Sequence, residues 1–200
     1  MAKYNFLKTA KGTFRKIITK EVKRATEEAH KEALQYMEVQ LLNHPLSKEL
    51  ISKSSPSNYF AKPNGTLFGF MGFKSSRDPV FELLSFLKGS NGLKYILSKG
   101  ITGKVYSKLL GPSGKDLASA GIILDEWGDG RSWPEVVEEG IPGLSNFFVS
   151  DKYQRSQLGF QVDHTLYDVG DLNKIKYLSR IFRNVKTKYT KTLIRKLISK

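Results

Sequence analysis

Cysteine is absent from all 200 residues of the sequence, which excludes disulfide bonds and thiolate metal sites. Histidine is scarce, with three residues in total, and the H-E-x-x-H pattern of zinc proteases does not occur. No apolar run comes near the roughly 20 residues that a membrane-spanning helix needs. The first turn is basic and no apolar segment follows it, so we expect no signal peptide and no membrane contact. These absences indicate synthesis in a cytoplasm and a fold held by a hydrophobic core.

Positive charge is concentrated at the two ends of the chain, whose net charge is +14. Residues 1–24 carry eight Lys or Arg and one acid, and residues 174–200 carry ten Lys or Arg and no acid. The stretch between them, residues 25–173, has a net charge of −3. Basic ends on a slightly acidic body are typical of helices or arms that contact an anionic partner. They are equally typical of the solvated faces of two amphipathic helices.

Apolar residues recur every three or four positions near both ends, which predicts two amphipathic helices. The first helix covers residues 13–42 after a basic arm at 1–13, and its apolar stripe is Phe14, Ile18, Val22, Ala25, Ala29, Ala33, Met37 and Leu41. At about 45 Å it is longer than a small domain covers, so it kinks or one end projects. The second helix covers residues 174–200 with Asp171 as its N-cap, and its stripe is Ile175, Leu178, Phe182, Val185, Tyr189 and Leu193.

A long connection follows the first helix. Residues 43–64 contain three prolines together with serine and asparagine, which predicts an extended loop with at most one short helical turn. The next stretch, NGTLFGFMGF (64–73), lacks the glycine spacing of a phosphate-binding loop. Both of its faces are apolar when its residues alternate as in a strand. We therefore interpret it as a strand packed tightly on both sides.

Two short helices have clear start and stop signals. DPVFELLSFLKG begins with an Asp-Pro pair and ends at glycine, which predicts a helix from Pro79 to Lys88. SWPEVVEEG has Ser132 as N-cap and Gly140 as its stop. A further short helix is predicted around residues 93–97.

Strands are predicted between and after these helices. Residues 101–110 alternate like a strand, and LSNFFVSD and SQLGFQVDH are predicted to form an antiparallel hairpin. The sequence therefore predicts a single α+β domain. Its antiparallel sheet is packed by the long N-terminal helix and the C-terminal helix, and long loops connect the elements.

Catalytic chemistry has weak support in the sequence. Three acids flank Trp127, namely Asp125, Glu126 and Asp129, and two acids near a tryptophan suggest sugar hydrolysis. A solvated turn explains DEWGDG better, because one local cluster does not show convergence in space. GPSGK (111–115) resembles half of a phosphate loop, but Asp116 stands where a Mg²⁺-binding Ser or Thr belongs. We expect no enzymatic activity, no cofactor and no metal site.

Three segments together carry a family resemblance: LLNHPLSKELI after the long helix, NGTLFGFMGF, and SWPEVVEEGIPGLSNFF with YQRSQLGFQV before the C-terminal helix. In this order they resemble the neck or tail-completion proteins of tailed bacteriophages. The resemblance implies an α+β subunit that forms rings between the portal-adaptor complex and the tail tube, with no enzymatic role. It implies a place in the virion at the head–tail junction, after synthesis in the host cytoplasm.

The expected partners are other copies of the chain, in a ring of six or twelve, and neighbouring portal-adaptor, neck, tail-tube or sheath proteins. Assembly contacts are expected from the aromatic residues of the connection and the Phe-rich stretch, namely Tyr59, Phe60, Phe68, Phe70 and Phe73. Contacts with DNA or an acidic partner are expected from the C-terminal cations Arg180, Arg183, Lys188, Lys191, Arg195 and Lys196. The alternative function is non-sequence-specific nucleic-acid binding, since no base-reading motif is present.

Overall fold

A computed structural model of the protein describes residues 2–52, 67–99, 104–124, 130–141, 167–168 and 171–198. In chain order these ranges form α1 (Ala2–Asn43), α2 (Pro45–Ser52), α3 (Leu67–Phe70), α4 (Pro79–Lys88), β1 (Lys94–Lys99), β2 (Val105–Leu110), α5 (Gly114–Ser119), α6 (Trp133–Glu139), β3 (Tyr167–Asp168), β4 (Asp171–Ile175) and α7 (Leu178–Ile198). The strands pair as two antiparallel hairpins, β1–β2 and β3–β4. The predicted α+β class, with a long N-terminal helix and a C-terminal helix, is confirmed.

Helix α1 begins earlier than its sequence pattern predicts. It starts at Ala2 and continues for 42 residues, a length of roughly 63 Å. Gly12 does not interrupt it, because a single glycine costs a helix only about 1 kcal/mol. Residues 2–13, which lie in the basic arm predicted for 1–13, are the first turns of α1.

Helices α1 and α7 lie antiparallel along the apolar stripe predicted for α1. Ala25, Ala29 and Ala33 are buried, and their small side chains let α7 approach closely. Lys196 pairs with Glu28, while Asn184 lies within 3.5 Å of Gln40. By this register the last residue of α7 lies beside residue 26. Residues 2–22 of α1 thus extend beyond the end of α7.

The close approach of these helices gives a direct test. We expect Ala29→Leu to lower the free energy of unfolding by about 1–3 kcal/mol, because added methylenes in a filled core force side chains and backbone apart. Urea denaturation measures the change. Gln35→Leu, on the exposed face of the same helix, is the matched control. Equal stabilities for the two variants would contradict packing of α7 against Ala29.

The C-terminal helix starts later than predicted. Its first internal bond runs from the Ile181 N–H to the Tyr177 carbonyl, so α7 begins at Leu178 rather than at 174. Asp171, the predicted N-cap, lies in β4 opposite Asp168. Ile175 fits the helical stripe and an inward strand position equally well, and it is fully buried in β4. Its burial explains why periodicity alone placed the boundary wrongly.

Two other predictions are wrong. Residues 67–70 form a helical turn, α3, whose Leu67 carbonyl accepts from the Met71 N–H at 2.9 Å. Gly72, with φ of 70°, then reverses the chain as glycine readily does. Residues 93–97, predicted as helix, belong largely to β1. Short apolar runs fit the period of a helix and that of a strand equally well. Burial against neighbouring elements determines which of the two forms.

The remaining predictions vary in outcome. The predicted strand over 101–110 is confirmed as β2 for residues 105–110, while α4 and α6 match their predicted bounds. Part of the loop predicted for 43–64 is the helix α2. Residues 53–64 and the hairpin predicted from LSNFFVSD and SQLGFQVDH lie outside the described residues.

The β1–β2 hairpin rests on α1 and α7 through polar contacts. His30 Nε2 lies 2.8 Å from the Leu93 carbonyl oxygen. Thr26 donates to the Ser107 hydroxyl at 3.3 Å, and Ser107 is in turn hydrogen-bonded to the Tyr189 hydroxyl. Burial raises the pKa of Tyr189, although its hydrogen bond to Ser107 opposes the shift. The tip of the hairpin therefore points toward the start of α1.

Aromatic rings fill the centre of the core, in a group that we call the aromatic cluster: His44, Phe68, Phe73, Trp133 and Tyr177. The ring centroids of Phe68 and Phe73 are 5.5 Å apart, and those of Trp133 and Tyr177 are 5.3 Å apart. Phe73 meets Trp133 edge to face at 6.0 Å. The Tyr177 hydroxyl is hydrogen-bonded to Ser47 at 2.7 Å, which satisfies this polar group in the core.

Candidate functional site

The cations expected to contact a partner divide into two sets on α7. Arg195 Nη2 lies 3.1 and 3.0 Å from the two carboxylate oxygens of Glu32 on α1. Lys196 Nζ lies 2.9 Å from Glu28 and 3.6 Å from Glu32. These two cations therefore join α7 to α1 within the chain. Exposed ion pairs of this kind stabilise a protein by at most about 1 kcal/mol each.

The pKa values of this ion-pair group follow from its contacts. Burial acts to raise the pKa of Glu32, but the Thr192 hydrogen bond and the charges of Arg195 and Lys196 outweigh it and lower that pKa. The hydrogen bond and charge of Glu28 raise the pKa of Lys196. Glu32 and Lys196 therefore stay charged at neutral pH.

The second set faces solvent. Arg180, Arg183 and Lys191 are exposed side chains of α7. Within the described part of the chain, Arg183 and Lys191 have no carboxylate at ion-pair distance. Lys188 is half-buried, with its Nζ 6.0 Å from the ring centroid of Tyr36. Arg183 and Lys191 are thus the predicted cations best placed for a partner.

The aromatic residues predicted as assembly contacts are mostly buried where the structure describes them. Phe68 and Phe73 belong to the aromatic cluster and are almost fully buried in their own subunit. Phe70 is half-buried at the edge of the core. Tyr59 and Phe60 lie outside the described residues. Of the described phenylalanines predicted as assembly contacts, Phe70 alone is partly exposed.

Acidic residues gather at the opposite end of α7, where Glu135, Glu138 and Glu139 lie on α6. Glu138 accepts a hydrogen bond from the Ser179 N–H at 2.7 Å, where the start of α7 favours negative charge. Glu139 forms an ion pair with Arg131. Sequence patterns assigned these three glutamates no role in a site. The i, i+3, i+4 spacing could have revealed the shared acidic face.

An open groove of about 400 Å³ lies beside these acids, between α5, α6 and the start of α7. We call it the acidic groove. It is lined by Pro112, Gly114, Leu117, Ser132, Pro134, Glu135, Glu138, Glu139, Leu178, Ser179 and Phe182. A Cβ at Gly114 would meet the Glu135 carboxylate, so a side chain there would displace the end of Glu135. The groove combines an apolar floor with an acidic rim.

Cations gather at the other end of the molecule, which we call the basic end. The exposed side chains there include Lys20, Lys23 and Arg24 on α1, Lys99 and Lys104 at the hairpin tip, and Lys191 and Arg195 on α7. Glu27 and Glu28 offset part of this charge. The separation of charge noted along the sequence thus becomes a separation between the two ends of one folded body.

Chemistry at a metal or phosphate finds little support in the described ranges. No group of three or more His, Asp or Glu side chains in them could hold a metal ion. The Asp116 carboxylate accepts from the Ser113 N–H at 2.8 Å and closes a capping box at the start of α5. GPSGK is therefore a helix start, and hydrogen bonding to Ser113 lowers the pKa of Asp116. Asp125, Glu126 and Asp129 lie outside the described residues.

No helix among the described residues combines the length and apolar character needed to cross a bilayer. No protein family, curated protein or solved structure matches the chain.

Proposed function

We propose that this protein is a virion structural protein of a tailed bacteriophage, a ring-forming neck or tail-completion subunit that joins head and tail. It acts as a scaffold rather than as an enzyme. The observation that carries the proposal is the length of α1, whose residues 2–22 extend beyond α7. A helix that extends beyond the helix packed against it supplies a surface for a neighbour, in line with the resemblance to neck proteins.

The distribution of charge supports the same proposal. The basic end and the acidic groove differ in chemistry and lie at opposite ends of α7. Two unlike surfaces favour head-to-tail contacts, which close into rings when the rotation between subunits allows it. The proposed partners are other copies of the chain, in a ring of six or twelve, and portal-adaptor, neck, tail-tube or sheath proteins. Exposed Arg183 and Lys191 suit DNA or an acidic partner.

Localisation in purified particles tests the proposal. Cryo-electron microscopy at side-chain resolution is expected to show α1 and α7 as part of a ring at the head–tail junction. Mass spectrometry of the same particles is expected to find the chain at a copy number that is a multiple of six. Intact particles that lack the chain would overturn the proposal.

A second function, non-sequence-specific nucleic-acid binding, is favoured by one observation: the solvent-facing cations Arg183 and Lys191 lack carboxylate partners in the described ranges. If they contact phosphates, affinity for duplex DNA falls steeply with salt. Removing one such contact reduces the slope of log K against log salt by about 1. We expect Lys191→Gln to do so, and Lys31→Gln, an exposed change on α1, to leave the slope unaltered. Salt-independent binding would contradict this function.

A further inference from the structure

The last two turns of α7 expose an unusual amount of apolar surface. Ile194, Leu197 and Ile198 are 51, 43 and 75% exposed. Their i, i+3, i+4 spacing places them side by side on the helix, and Lys191 lies one turn before them on the same side. Apolar anchors at this spacing are the pattern with which a helix enters a groove on a partner. We call these four residues the α7 tip.

The acidic groove has the complementary character. Its floor includes Leu117, Leu178 and the half-buried ring of Phe182, while three glutamates form its rim. An apolar helix end that carries a lysine matches such a groove in both respects, because apolar surface is buried and opposite charges meet. Its volume of about 400 Å³ suits a few aliphatic side chains.

We propose that the α7 tip of one copy of this chain docks into the acidic groove of the next copy. Ile194, Leu197 and Ile198 enter the groove, and Lys191 faces the glutamate rim beside Glu139, whose carboxylate it shares with Arg131. The inference rests on the proposed function, because it names the contact by which subunits would follow one another around a ring.

The position of the two surfaces determines what kind of assembly they form. Phe182 and Ile194 are twelve residues apart on one helix, which separates the groove from the tip by about 18 Å. Because α7 is a straight helix, the α7 tip of one copy cannot reach the acidic groove of the same copy. Because the two surfaces differ, the contact is heterologous, and it builds a ring or a filament rather than a twofold dimer.

Reversing one charge at a time tests the contact. We expect Lys191→Glu and Glu139→Lys each to weaken self-association of the full chain by about tenfold, because attraction becomes repulsion. Sedimentation equilibrium over a wide concentration range measures the association. Lys186→Glu makes the same charge change elsewhere on the exposed surface of α7 and is expected to leave association unchanged. Circular dichroism checks that each variant is folded.

Mixing the two variants gives the sharper result. In an equimolar mixture, every tip meets a groove of opposite charge when the two variants alternate, so association is expected to return to within about threefold of wild type. Ile198→Ser, which removes an apolar anchor, is expected to weaken association with no rescue by either charge variant.

The opposing outcomes are distinct. A wild-type chain that stays monomeric at all concentrations overturns the inference, as does self-association that the charge reversals leave unaltered. Neither result overturns the proposed function, which depends on localisation in particles. A ring at the head–tail junction in which the α7 tip contacts another protein would retain the proposed function and reject this contact.

Discussion

Replacing Trp133 with alanine is expected to lower the free energy of unfolding by about 3–5 kcal/mol. Trp133 is fully buried at the start of α6 and packs between Phe73 and Tyr177 in the aromatic cluster. Removing its ring loses the free energy gained by burying the side chain. It also leaves a cavity that the neighbouring rings fill only in part. Equilibrium denaturation in guanidinium chloride, followed by far-ultraviolet circular dichroism, measures the loss.

Trp133→Phe is the matched control for this experiment. The indole Nε1 has no hydrogen-bond partner among the described residues, so phenylalanine loses no such bond. It retains an aromatic ring between Phe73 and Tyr177, and we expect it to cost less than half as much as alanine. An alanine variant as stable as the phenylalanine variant would show that this position is not the centre of the core.

Stability is expected to fall by about 3 kcal/mol between pH 6.5 and pH 4 because of His44 alone. Burial and, to a smaller extent, the nearby charge of Arg180 together lower the pKa of His44 to about 4. In the unfolded chain this histidine takes up its proton near pH 6.5. Between these values the unfolded state binds the extra proton and the folded state does not. The free energy of unfolding therefore decreases as the pH falls.

His44→Asn isolates this contribution. His44 Nδ1 accepts a hydrogen bond from the Leu46 N–H at 3.3 Å, so the residue serves as the N-cap of α2. Asparagine is a good N-cap and does not titrate. Urea denaturation at several pH values measures the free energy of unfolding of both proteins. As the pH falls below 6.5, we expect the wild type to lose stability relative to His44→Asn. Parallel curves would mean that His44 has the same pKa in the folded and the unfolded chain.

The helices that the sequence predicts well are those with strong local signals. Helices α4 and α6 each have a proline in the first turn and a glycine at the stop, and both form as predicted. The alanine stripe of α1 is buried as its period requires. The failures lie at residues 67–73 and 93–97 and at the start of the C-terminal helix. There, short apolar runs permit helix and strand alike, and only contacts with distant elements choose between them.

The candidate site was less predictable, because contacts between distant parts of the chain decide which charged side chains are paired. Sequence reasoning identified the cations of α7 but not which of them are engaged within the chain. Arg195 meets Glu32 across 163 positions of sequence, and this pairing depends on the register between α1 and α7. The acidic groove likewise exists only when α5, α6 and α7 meet. Composition supplies the charges, whereas tertiary structure decides which of them remain available.

The length of α1 also governs how the molecule moves through water. A compact chain of 200 residues has a radius of gyration of about 16 Å, whereas α1 alone is roughly 63 Å long. A rod that protrudes from a small body raises the frictional drag without adding mass. The 22.6 kDa monomer should therefore diffuse slowly and elute early from a sizing column, in the position of a larger globular protein.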